Sequence, residues 1–208
     1  MQVHVVLRIG LLAVAAAVVA AGGCWDSPPP RVLPRAIAPD AAQKALELYD
    51  ANHDGFLDAQ ELEKVPGLKA AMKRADLNHD GKLSAEEIKA RIESWQSGGV
   101  GRMSVPCTVT YNGEPLAGAQ VTLEPESFLG GDLKAGTGTT NASGQAMIAA
   151  APSGANDAPG MSPGFYRVRI TKSGQAIPAR YNTETTLGLE VAADAEEMET
   201  AVVFDLHD

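Results

Sequence analysis

The rhythm of apolar and polar positions changes twice along the 208-residue chain. From Ile9 to Ala21 nearly every residue is apolar, with no polar face at any period. From about Asp40 to Gln96, apolar residues recur three and four apart, the spacing of amphipathic helices. Ala45, Leu46 and Tyr49 fall on one face of a first helix, Ala41–Tyr49, with Asp40 placed to cap it. Ala71 and Met72 mark the inner face of a helix over about 68–75, and Ile88 and Ile92 that of a helix running to about Trp95. Beyond Met103 the period drops to two. Short strands are predicted at about 103–111, 119–124, 145–150, 165–172, 186–192 and 200–206, with a further one near 134–139. Asn112-Gly113, the run from Asn141 to Gly144, and Ser173-Gly174 supply turns between them.

This pattern predicts an α+β multidomain chain: a small helical module followed by an antiparallel β-sandwich. The expected divisions are a targeting segment over 1–23, a proline-rich tether over 24–39, the helical module over 40–96, a glycine-containing linker over 97–102 and the β portion over 103–208. Aromatic residues make up only 5%, so both cores must be mainly aliphatic. The formal net charge of −9 argues against nucleic acid as a partner and for cations.

The N-terminus changes the picture of where the protein resides. Arg8 precedes the apolar run, which is short for a membrane span and is followed by the small residues Ala21, Gly22 and Gly23 and then Cys24. This arrangement resembles the lipobox of bacterial lipoproteins, with Ala21 where that family usually has Leu. The resemblance implies cleavage before Cys24, lipid on its thiol, and an exported, membrane-anchored protein facing the periplasm or the cell surface. Pro28, Pro29, Pro30, Pro34 and Pro39 then favour an extended tether. The second cysteine, Cys107, lies in the apolar Val-Pro-Cys-Thr-Val and reads as a buried small hydrophobe.

The chemistry concentrates in two segments, Asp50–Glu61 and Asp76–Glu87. A hard divalent cation such as calcium takes six to eight oxygens at roughly 2.3–2.6 Å. Asp50, Asn52 and Asp54 offer side-chain oxygens at alternate positions, and Asp76, Asn78 and Asp80 repeat them. Gly55 and Gly81 allow the sharp bend that follows. Phe56 and Lys82 come next, where only a backbone carbonyl is needed. Asp58 and Ser84 suit a position that acts through water, and Glu61 and Glu87 supply a closing bidentate carboxylate. Asp58 with Glu61, and Ser84 with Glu87, also form the capping-box pattern for the helices that follow. His53 and His79 stand at the same place in the two segments and are read as solvent-facing.

Both segments resemble the EF-hand family at every diagnostic position. The resemblance implies two calcium ions, one per loop, with Leu57 and Leu83 meeting in a short β-bridge. The loops start 26 residues apart, which is close for such a pair; Val65-Pro66-Gly67 must turn the chain abruptly between them. A small groove follows, and with it a structural or buffering site rather than a target-binding switch.

The β portion resembles the carboxypeptidase-regulatory-like, or transthyretin-like, domains. The residues that carry this are Tyr111–Leu123 (Tyr-Asn-Gly-Glu-Pro-Leu-Ala-Gly-Ala-Gln-Val-Thr-Leu), Gly136–Gly144, Pro163–Ile170, Ile177–Asn182 and Val202–Leu206. They are turns and core positions, so they imply a fold and not an activity. No catalytic set emerges: His4 lies in the targeting segment, His53 and His79 in the loops, and His207 near the end. The expected function is therefore non-enzymatic calcium binding on a lipid anchor, with the β portion as an interaction or spacer domain. The alternative is a calcium-dependent protein- or carbohydrate-binding module, for which Tyr111, Phe128, Phe165, Tyr166, Tyr181 and Phe204 are the available aromatic contacts.

Overall fold

The structure is a computed structural model, and it describes residues 35–152 and 159–208. The targeting segment, Cys24 and residues 25–34 of the expected tether lie outside the described residues. No helix among the described residues is long and apolar enough to cross a membrane.

The helical module opens with α1 (Ala41–Tyr49), which buries Ala41, Ala42, Ala45 and Leu46 and half-buries Tyr49. Asp40 does not cap it through its side chain; its carboxylate pairs instead with Lys44 at 3.0 Å, one turn on. β1 (Phe56–Leu57) and α2 (Ala59–Leu62) follow. The helix expected over 68–75 is split into α3 (Pro66–Ala70) and α4 (Met72–Ala75), with the break at Ala71. Pro66 starts α3 without a donor to lose, because the first N–H groups of a helix have no partner inside it. β2 (Leu83–Ser84) then leads into α5 (Ala85–Gly98), which ends on Gly99 at φ +65°. Leu57 pairs with Leu83 across antiparallel β1 and β2, and both side chains are fully buried.

The β portion holds two four-stranded sheets among the described residues. One contains β3 (Val105–Tyr111), β4 (Glu114–Pro115), β7 (Gln145–Ile148) and β10 (Val202–Leu206); β3 pairs with the other three. The second runs β6 (Gly136–Thr139), β5 (Ala119–Pro125), β8 (Gly164–Lys172), β9 (Gly188–Val191). Alternate residues of both sheets, among them Val105, Cys107, Val109, Val121, Leu123, Val168, Ile170 and Leu206, meet in one apolar core.

One pairing corrects the all-antiparallel expectation: β10 runs parallel to β3, with Val202 opposite Cys107 and Leu206 opposite Tyr111. The chain leaves β9 in one sheet and crosses by way of the short helix α6 (Glu196–Glu199) to the other before it pairs.

The helical module and the β portion are packed together. The core around α1 and α5 also contains Phe128, Leu129 and Leu133, Phe165 from β8, and Ala192 and Ala195. Trp95 of α5 meets Phe165 edge-on with ring centroids 4.6 Å apart, and Tyr49 meets Phe128 at 6.5 Å. The region expected as a linker begins inside α5, which continues through Gly98. Strand β9 is buried on both faces: Leu189 and Val191 enter the core between the sheets, while Glu190 faces the helices.

Candidate metal centre

The two loops fold by the same local chemistry. Asp50 accepts hydrogen bonds from Asp54 N–H at 3.3 Å and Gly55 N–H at 2.9 Å; Asp76 accepts from Asp80 N–H at 3.2 Å and Gly81 N–H at 3.0 Å. Asn52 and Asn78 each accept, through Oδ1, from the N–H two residues on, at 2.8 Å. Asp54 and Asp80 do the same for Phe56 and Lys82, at 3.0 and 2.9 Å. These Asx turns curl each loop around its own short side chains. Gly55 and Gly81 sit at φ +85° and +82°, where a Cβ is strained even though nothing else lies close by.

The closing glutamates turn back over the loops. Glu61 Oε1 accepts from Ala51 N–H at 2.7 Å and Asn52 N–H at 3.3 Å, and Oε2 from Asp58 N–H at 3.0 Å. Glu87 repeats this on Leu77, Asn78 and Ser84, at 3.1, 3.4 and 2.9 Å. Asp58 accepts in return from Glu61 N–H at 3.0 Å, and Ser84 from Glu87 N–H at 3.2 Å, so both capping boxes are complete. Each loop is therefore tied at its start, its bend and its end.

Electrostatics distinguish these carboxylates from ordinary surface acids. Asp50, Glu61, Asp76 and Glu87 are only 8%, 6%, 8% and 7% exposed. Their hydrogen bonds come from backbone N–H groups and the Ser84 hydroxyl, and none is ion-paired among the described residues. A divalent cation bound beside them would add its charge to these N–H donors in stabilising the carboxylates. The oxygen donors are hard, as calcium requires. The residues present thus fit a divalent cation. Among the described residues, however, no three His, Cys, Asp or Glu side chains converge closely enough to hold an ion by themselves. Asp54 Oδ2 is turned to Lys82 Nζ at 3.0 Å, and Asp58 Oδ1 caps α2. The Lys82 hydrogen bond holds Asp54 below its ordinary pKa, and Asp54 raises that of Lys82.

Phe56 is half-buried under Lys82, whose ammonium lies 5.5 Å from the ring centroid. His53 and His79 are exposed at φ +58° and +60°.

Sequence reasoning missed the residues that dock this module. Glu190, 1% exposed, accepts from Arg74 Nε at 2.6 Å, Arg91 Nε at 2.5 Å and Trp95 Nε1 at 3.1 Å. Arg91 also forks onto Asp194, with both bonds at 2.7 Å. Burial works against the charge on Arg91, but Asp194 and Glu190 outweigh it and push its pKa up; Arg91 in turn lowers that of Asp194. Glu126, 2% exposed, accepts from Gly67 N–H at 2.9 Å and from Arg167 at 3.2 Å, and burial raises its pKa. One signal was available: Arg91 interrupts the apolar stripe of Ile88, Ile92 and Trp95, and a charge on such a stripe needs a buried partner.

A family model described as EF hand matches residues 42–66 and 68–92, which contain both loops and parts of the helices beside them. Comparison with curated proteins and with solved structures returned no match.

Proposed function

We propose that the protein is a non-enzymatic calcium-binding lipoprotein, taking one ion in each of the loops Asp50–Glu61 and Asp76–Glu87. The observation that carries this reading is the set of four buried carboxylates, Asp50, Glu61, Asp76 and Glu87, each held in place by backbone N–H groups and none paired with a basic side chain among the described residues. In each loop the first aspartate, the asparagine, the second aspartate and the closing glutamate would hold the ion. The carbonyls of Phe56 and Lys82 and the side chains of Asp58 and Ser84 would complete the shell, directly or through water. Calcium would supply positive charge at the point where these oxygens repel one another. The chain itself sets the bend through Gly55 and Gly81 and fixes the closing carboxylates through the two capping boxes.

Export, cleavage and lipid attachment at Cys24 belong to the same proposal and rest on the sequence around that residue. The two sheets are read as a β-sandwich of the carboxypeptidase-regulatory-like kind, acting as an interaction or spacer domain beside the helical module. The alternative, a carbohydrate-binding face, gains little from the aromatic residues. Phe128, Phe165, Tyr166, Tyr181 and Phe204 are all less than 9% exposed, and only Tyr111 of the six is partly open.

A calcium titration of the chain from residue 25 onward, by calorimetry and circular dichroism, tests the reading. Binding of two ions and a rise in melting temperature at millimolar calcium are expected, since a ligand specific for the folded state stabilises it. Absence of binding heat and of stabilisation at that concentration overturns it.

A further inference from the structure

We propose that Glu190, although it lies far from both loops in sequence, is a positioning residue for the second loop, fixing the distance between the helix that enters that loop and the helix that leaves it. The inference rests on the calcium reading above.

Loop two begins at Asp76 and ends at Glu87. Arg74, two residues before the start, and Arg91, four residues after the end, both reach the same carboxylate. Arg74 Nε donates to Glu190 Oε2 at 2.6 Å, and Arg91 Nε to Oε1 at 2.5 Å. Trp95, one further turn along α5, adds Nε1–H at 3.1 Å to Oε1. The Glu190 side chain is fully shielded from water, and the Arg91 and Arg74 side chains are only 7% and 17% exposed. Charge-assisted bonds in such a setting are short, directional and expensive to break.

Glu190 itself cannot drift. It sits on β9, hydrogen-bonded to β8, with Leu189 and Val191 on either side buried in the core between the sheets. The carboxylate is therefore a fixed post with one oxygen for each flank of the loop. With α4 and α5 held to it, Asp76 and Glu87 face each other before any ion arrives. Less ordering is then left to be done at binding, which raises affinity. Such a clamp also resists the helix opening by which calcium sensors expose a groove.

Loop one has no equivalent among the described residues. Its entering helix α1 touches the β portion through Tyr49 Oη and Ser127 Oγ at 3.2 Å and through Phe128. Its exit side is held at Gly67 by Glu126. Among the described residues no single carboxylate bridges the two.

The experiment follows each loop separately in one molecule. The Gly55 and Gly81 amides donate to the first aspartate of their own loops, so their NMR signals report the two sites independently. The full chain is titrated with calcium in detergent as wild type, R74M, R74K and E190Q. R74M keeps the apolar stem and leaves Arg91 and Trp95 on Oε1 while removing the donor to Oε2; circular dichroism of each variant without calcium checks that the fold is retained before the midpoints are compared. In R74M and E190Q the midpoint at Gly81 is expected to move to about tenfold higher calcium, the usual effect of removing a partner that orients metal ligands, while that at Gly55 stays in place. R74K, which restores a charge toward Glu190, should recover part of the loss. Equal shifts at both glycines, no shift at Gly81, or an R74K no better than R74M would each overturn the inference. A wild type in which neither glycine responds removes the calcium reading and the inference together.

Discussion

Lys82 Nζ, at the seventh position of the second loop, lies 3.0 Å from Asp54 Oδ2, at the fifth position of the first. The pair joins the two loops across the β1–β2 bridge and places a cation on an oxygen that a bound ion would need. Both side chains are substantially exposed, so the competition is modest. Lys82→Met should tighten calcium binding at loop one by about two- to fivefold, in line with the small worth of exposed pairs. The Gly55 amide titration reads the change, and unaltered or weaker binding would show that Lys82 does not compete.

Gly188 is where β9 meets α3. A Cβ built there would lie 1.7 Å from the Pro66 carbonyl oxygen and 2.5 Å from Gly67 N, both backbone atoms that cannot swing aside. Gly188→Ala should cost at least about 3 kcal/mol, at the upper end for overpacking. A urea melt measures it, and near-wild-type stability would mean that the helical module can shift away from the sheet at little expense.

Glu126 supplies a pH signature. Burial raises its pKa above 4.5 in the folded protein, against the pull of Gly67 N–H and Arg167. A carboxyl with a raised folded pKa adds stability that is fully present below its unfolded pKa and is lost as pH rises through the folded value. Glu126→Gln keeps an acceptor for Gly67 and does not titrate. The stability of wild type relative to this variant should therefore improve as pH falls toward 4.5, and should be least favourable at neutral pH. Paired melts across that range test it; a difference independent of pH, or one of opposite slope, would contradict the assignment.

Cys107 is 1% exposed in the core between the sheets, and burial pushes its thiol up to about 11. Thiol reagents at neutral pH should leave it unmodified in the folded protein and react once denaturant is added. Prompt labelling under native conditions would show that β3 and β7 open locally.

What could be read from the sequence follows the range of the interactions involved. The loops were legible residue by residue, because the Asx turns, the glycine bends and the capping boxes join residues within twelve positions of one another. Strands were placed to within a few residues for the same reason: alternation is local, and Asn112 and Gly113, at φ +52° and +84°, turn β3 directly into β4. The parallel entry of β10 beside β3 left no local mark, since Val202–Leu206 alternates identically in either direction. Docking was also hidden. Leu187-Gly-Leu-Glu-Val191 reads as a strand with one wet face, and only the arginines at 74 and 91, more than a hundred and about a hundred residues earlier, turn that face into a buried one. Asp40 does not act as a side-chain cap; its carboxylate pairs with Lys44, and its backbone lies outside the extended region usual for a cap.

Phe128 and Phe165 occupy the apolar face of the helix pair, so that hydrophobic surface is satisfied within the molecule. Because the same residues are anchored in or beside the sheets, neither half can unravel without uncovering the other. Heating should then produce one cooperative transition in place of two, and occupancy of the loops would be felt as added resilience throughout the sheets.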